Sequence, residues 1–104
     1  MQSKKMAIKN AMIVVTHRDD STKRFVATGP DHNACYDYLA CAYRVYARAD
    51  YNWMVEEGFE TTTGEFVNRE RAYMIANGNN QLSSTNSDGI LQSWMIKNYI
   101  DKID

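Results

Sequence analysis

Apolar and polar positions alternate in short blocks along this chain, and each block predicts one element. Residues 7–16, AIKNAMIVVT, hold the densest early block, with Met12, Ile13, Val14 and Val15 in a row. A bounded apolar run rich in β-branched residues predicts a strand. The polar stretch HRDDSTK follows, in which Asp19, Asp20 and Ser21 are turn formers. Residues 24–28, RFVAT, read as the returning strand, so the N-terminal part is expected to be a β-hairpin.

The period then changes. Pro30 is barred from a helix interior and Asp31 is a good N-cap, which predicts a first helix over about 32–48. Cys35, Leu39, Ala42 and Tyr46 recur as one helical stripe. Tyr36, Tyr38, Tyr43 and Tyr46, with Tyr51 and Trp53 just beyond, suggest a thick aromatic core over a small sheet. Residues 58–61 and 65–67 predict a second short ribbon turning at Thr62-Thr63-Gly64, where Gly64 supplies the positive φ. A second helix is expected after the N-cap Asn68, running to about Ala76. NGNNQLSSTNSDG reads as loop, and the final stretch ILQSWMIKNYIDKID is apolar enough to dock, as a helix. The fold class expected is α+β: a small antiparallel sheet, from the N-terminal hairpin and the central ribbon, packed with two main helices.

Length and composition narrow the function classes. At 104 residues the chain is expected to form one domain, 1–104. Twelve basic residues against thirteen acidic ones give a formal charge of −1, which argues against binding long nucleic acid. A small anionic ligand needs only two or three placed donors, so it stays open. Cys35 and Cys41 are six residues apart within the predicted helix. That is a rotation of roughly 600°, so they point to different sides and cannot bridge. Free buried thiols fit a reducing cytoplasm. With no apolar run of membrane-span length and no signal-peptide pattern, a soluble cytoplasmic protein without membrane contact is expected.

The candidate chemistry is sparse. His17 and His32 lack partners at metal-ligand spacing. No P-loop, dinucleotide fingerprint or nucleophile elbow is present. No catalytic residue, metal or cofactor is therefore assigned, and a non-enzyme is expected. His32 falls in the first turn of the first helix, where the dipole disfavours imidazolium. A neutral ring there can bond a ligand or serve only the local structure. Arg44 and Arg48 are spaced i,i+4 among tyrosines; such a pair can grip phosphate or simply be a solvated edge. On a wheel of the second helix with Ala72 at zero, Arg69 lies near about 60° and Arg71 near about 260°, on opposite flanks of the buried face. The two cannot easily converge on one phosphate.

Three blocks carry a resemblance: ATGPDHNACYDYLA, GFETTTGEFVNRERAYMIANGNNQ and SDGILQSWMIKNY. Their order resembles small phage-encoded immune-evasion proteins of the Thoeris anti-defence protein 1 type, the central block being the specific part. Members of that family act as sponges: they bind a cyclic nucleotide signal, a cyclised ADP-ribose, without catalysis and as homo-oligomers. The resemblance implies a homo-oligomer with a small cyclic nucleotide partner, with Phe59 or Tyr73 stacking on the base, Arg69 meeting phosphate, and His32 and Gln81 bonding ribose or base. The chain departs from the pattern at Asp31, which stands in place of an arginine, and at Arg71, which stands in place of a glutamate. Asn80 replaces a glycine, a mild change because Asn tolerates the left-handed region. A different reading is a small inhibitor that binds a host defence protein through its tyrosines, Trp53 and Trp94.

Overall fold

A computed structural model describes residues 6–85 and 88–96. The order of elements is β1 (Ile8–His17), β2 (Asp20–Gly29), α1 (His32–Tyr43), β3 (Trp53–Thr61), β4 (Phe66–Val67) and α2 (Arg69–Gly78), then a 3₁₀ turn at Ser93–Met95. The strands form one antiparallel sheet in the order β2-β1-β3-β4, so the α+β class expected from the sequence is what the chain adopts. β1 is central, pairing with β2 from Ala11↔Gly29 to His17↔Asp20 and with β3 from Ile8↔Thr61 to His17↔Trp53.

Strand alternation sorts the side chains into two faces. Ala11, Ile13 and Val15 point one way, beside Phe25 and Ala27 of β2 and Val55, Glu57 and Phe59 of β3. Both helices cover this face. Cys35 and Leu39 of α1, Ala72 and Ala76 of α2, and Leu91 and Met95 of the closing segment join the same buried cluster. The opposite face carries Met12, Val14 and Thr16 in its middle row.

The helix starts were legible. Asp31 Oδ1 accepts from the Ala34 amide at 2.8 Å, and Asn68 accepts from the Arg71 amide at 2.8 Å, each satisfying an amide that the helix itself cannot. Gly64 has φ of 89° and Asn80 of 56°, as their turn positions require.

Other expectations need correction. α1 stops at Tyr43, short of 48, because Arg44 turns left-handed with φ of 57°. Its amide still bonds Ala40 O, and the Val45 amide returns to Leu39 O at 3.0 Å. Val45 is thereby buried, whereas Ala42 and Tyr46 of the expected stripe are exposed. The expected aromatic core is found only in part: Tyr36 and Trp53 pack half-buried against the core, whereas Tyr38, Tyr43, Tyr46 and Tyr51 are all exposed, Tyr51 to 80%. The core is built instead from aliphatic side chains around Phe59. Cys35 is buried but Cys41 is exposed, since the same rotation that parts them turns the second outward. β3 begins at Trp53 rather than Gly58, so the central ribbon is an extension of the hairpin sheet. The returning strand β2 is likewise longer than 24–28. Of the closing stretch, the described part makes a 3₁₀ turn and one bridge, Leu82↔Ile96; the rest of the expected helix lies outside the described residues. No helix among the described residues is long and apolar enough to cross a membrane.

Candidate functional site

The helix-covered face holds one connected polar group, and its origin is the parity of β3. The alternation that buries Phe59 also turns Glu57 inward, opposite Ile13. A carboxylate on an apolar face needs donors, and three elements supply them. Arg69, the first residue of α2, places Nη2 at 2.6 Å from Glu57 Oε1. Tyr36 on α1 donates its hydroxyl to Glu57 Oε2 at 2.5 Å. Arg69 Nη1 donates to Leu91 O at 2.7 Å and lies 3.3 Å from Gln92 Oε1. One guanidinium therefore ties α2, β3 and the closing segment together.

His32 completes the group, and its tautomer follows from its partners. Nε2 is 2.8 Å from Gly58 O, a carbonyl that only accepts, so Nε2 carries the hydrogen. Nδ1 is left to accept from Arg69 Nη2 at 3.5 Å. Burial pushes the imidazole below its ordinary 6.5, and the Arg69 charge adds to this against the pull of Gly58 O. The ring is thus neutral near pH 7, the state expected from its place at the helix start, with burial as the main cause. Burial raises the Glu57 carboxyl, but the Tyr36 hydroxyl and Arg69 guanidinium outweigh that and hold it below its ordinary value. Burial and the Glu57 carboxylate push Tyr36 up to about 12, which keeps its hydroxyl protonated as a donor and makes it a poor acid.

The far side of Tyr36 has a different character. Arg48 sits with Cζ 4.0 Å from the centroid of the Tyr36 ring, a cation–π contact. Its Nη2 donates to Asn33 Oδ1 at 2.6 Å. Arg48 is exposed. Beside it lies an open cleft of about 210 Å³ between α1 and the loop that follows, lined among others by Tyr36, Ala40, Val45, Tyr46 and Arg48. This cleft combines one guanidinium and one carboxylate, that of Asp37, with two tyrosine rings on a small apolar floor.

Of the five residues expected to hold a ligand, the structure brings three together. His32 and Phe59 meet edge to face with centroids 5.0 Å apart, and Arg69 Cζ lies 5.9 Å from the Phe59 centroid. Phe59 is fully buried, so in this arrangement no face of its ring is open to a base. Tyr73, one helical turn on from Arg69, is half-buried against the core cluster. Gln81 is fully buried and clamps the start of β1: Oε1 accepts from Ile8 N at 2.9 Å and Nε2 donates to Ile8 O at 2.8 Å. It acts there as an extra strand partner for Ile8. Arg71 is exposed on the opposite flank from Arg69, as the wheel separates them.

Glu57 escaped the sequence reading, although its parity with Val55 and Phe59 was the available signal. The expected Arg44–Arg48 pair does not form. Arg48 is not i,i+4 from Arg44 on one helix, because the helix ends first and the loop swings Arg48 back over Tyr36. Among the described residues, no three His, Cys, Asp or Glu side chains group in a way that could hold a metal ion.

The comparisons place this small α+β domain among phage-encoded proteins. Residues 7–96 match the model of the phage T4 y16D protein family, and the chain belongs to this family. No curated protein and no solved structure matches it.

Proposed function

We propose that this phage protein acts against a host defence system by binding and sequestering a cyclic nucleotide signal, a cyclic ADP-ribose isomer or a related cyclic nucleotide, without turning it over. The observation that supports this reading best is the Arg48–Tyr36–Tyr46 cleft. Arg48 is already held by Asn33 and stacked on Tyr36, so little side-chain freedom is lost when it meets a phosphate. Tyr46, exposed to 57%, supplies a ring face for a base.

Size decides how the ligand sits. A cleft of about 210 Å³ is smaller than the ~300–1,000 Å³ that enclose a drug-sized ligand. It takes one base or one phosphate group, and the remainder of a cyclic nucleotide lies over the exposed rings. Arg69, with His32 beside it, then supports the site from beneath through Glu57, which holds Tyr36, while Phe59 and Gln81 act in the core and at the start of β1. The likeness of the three sequence blocks to the Thoeris anti-defence type supports the nucleotide class.

The test is a thermal-shift panel of cyclic ADP-ribose isomers and cyclic dinucleotides, followed by recovery of the ligand on heating. A shift with intact ligand released is expected. Turnover of the ligand points to an enzyme and ends the sequestration reading.

One observation favours a second reading, a direct inhibitor of a host protein. Tyr38 and Tyr43 are exposed and meet edge to face at 5.8 Å, and Tyr43 rests on Phe25 at 4.6 Å. A tyrosine ladder of this kind is typical of interface hot spots. If no nucleotide shifts the melting and one host protein is captured in stoichiometric amount, with capture lost in Tyr38→Ala/Tyr43→Ala, that reading replaces the first.

A further inference from the structure

We infer that the helix-free face of the sheet is where two copies of this chain pack, sheet against sheet, about a two-fold axis parallel to β1. The inference is independent of the nucleotide reading, which concerns the opposite side of the sheet.

The apolar residues of the molecule fall into two sets that do not mix. The buried cluster under the helices contains Ala11, Ile13, Val15 and Phe59 but not Val14, although Val14 is only 2% exposed. Val14 lies at the centre of the other face, flanked by Val26 on β2 and Glu56 on β3. Around it are Met12, Met54 and Phe66, none of them part of the helix-side core. Val26 and Met54 are exposed to 36% and 44%. Phe66 lies over Gly58: a Cβ there would fall 2.5 Å from the Phe66 ring and would also meet Val67 O. The missing side chain keeps this face flat where β3 and β4 meet.

The occupant is indicated by the charges. β2 carries Arg24 on this face, beside Thr16, and β3 carries Glu56 beside Val14, and Glu60, whose carboxylate accepts from Asn10 Nδ2 at 3.0 Å. Among the described residues neither Arg24 nor Glu56 has an ion-pair partner within the chain. A two-fold axis running along β1 in the interface plane places β2 of one copy over β3 of its partner. Arg24 of one copy then lies over the register of Met54, with Glu56 two residues along, about 7 Å away and within reach of an arginine stem. The operation is self-complementary, so the contact forms twice, as an isologous interface requires. It also keeps the strands of the two sheets aligned, the commoner way for sheets to stack at about 10 Å.

The area is sufficient but small. Strands of ten residues span about 33 Å, and three of them cover about 15 Å in width, which gives roughly 500 Å² per copy. Counted over both copies that is about 1,000 Å², near the lower limit for a specific interface. A dimer of micromolar strength follows, so concentration has to be varied in the test.

Sedimentation velocity across the micromolar range reads this directly. The parent chain is expected to pass from monomer to dimer. Val26→Glu and Met54→Lys, both at exposed positions, should give monomers with unchanged circular dichroism. Arg24→Glu and Glu56→Arg should each weaken association about tenfold, and the double swap should restore it. A parent that stays monomeric throughout overturns the inference. So does a dimer that survives these variants, or one that is lost only in Tyr38→Ala/Tyr43→Ala.

Discussion

Arg69 and Arg48 are less than a helix apart in role but opposite in circumstance. Arg69 is surrounded by acceptors: the Glu57 carboxylate, Leu91 O, Gln92 Oε1 and the His32 ring. Its charge is spent within the fold. Arg48 has one amide partner and one aromatic face, and it is exposed at the mouth of a cleft. Arginine position in a sequence motif therefore says less about ligand binding than the number of acceptors the fold has already placed around it. Arg69 keeps the motif and holds the structure; Arg48 lies outside the motif and keeps its charge at the surface.

The largest effect expected is from Arg69→Ala. It leaves Glu57 facing the core with only Tyr36 as donor and frees the segment at Leu91. Charge-assisted bonds of this kind are worth about 1.5–3 kcal/mol each, so a loss of roughly 2–4 kcal/mol is expected in urea denaturation. If Arg69→Ala melts like the parent, the contrast between the two arginines disappears.

Gly58→Ala comes next. Its Cβ meets Phe66 and the Val67 carbonyl, and it perturbs the strand whose carbonyl holds His32. A cost of about 1–3 kcal/mol is expected from overpacking, and Gly58→Ala/Phe66→Leu should recover part of it in the same denaturation assay.

The polar group also fixes the sign of the pH dependence. His32 has a folded pKa below 6.5, so the unfolded chain takes up its proton first, and stability falls as pH drops through that value. Glu57 is held below 4.5; its contribution is present above that pH and is lost as pH falls through its folded pKa. Both act in one direction, and melting temperature should fall steadily from pH 7 to pH 4. His32→Gln should flatten the upper part of that decline. Tyr36→Phe removes a donor from Glu57, brings its folded pKa back toward the unfolded value, and should shrink the lower part.

How much of this was legible follows from the kind of signal each element leaves. Asp31 and Asn68 mark helix starts by local chemistry, and Gly64 marks its turn by backbone freedom, so all three could be read from single residues. The end of α1 could not, because an arginine in the left-handed region carries no such mark, and the return of the Val45 amide to Leu39 O and the burial of Val45 that stabilise it show only in the fold. The N-terminal half of β3 was missed because Trp53–Glu57 mixes acids with apolar residues, and the inward parity of Glu57 makes sense only once Arg69 and Tyr36 are beside it. Phe59 and Gln81 were read as ligand contacts by resemblance to a motif. Their burial depends on Ala11 and Ile8, partners about fifty and seventy residues distant. Local chemistry was visible in the sequence, whereas long-range pairing was not.

The smallest effect on stability is expected from Arg48→Ala, within about 0.5 kcal/mol of the parent, because the side chain is exposed and its loss leaves no buried partner. That makes it the cleanest probe of the central claim. The decisive measurement is calorimetric titration of the parent and Arg48→Ala with whichever cyclic nucleotide gives the largest thermal shift. The account predicts that the parent binds and that Arg48→Ala loses at least about tenfold in affinity at unchanged stability. Equal affinity for the two would contradict it.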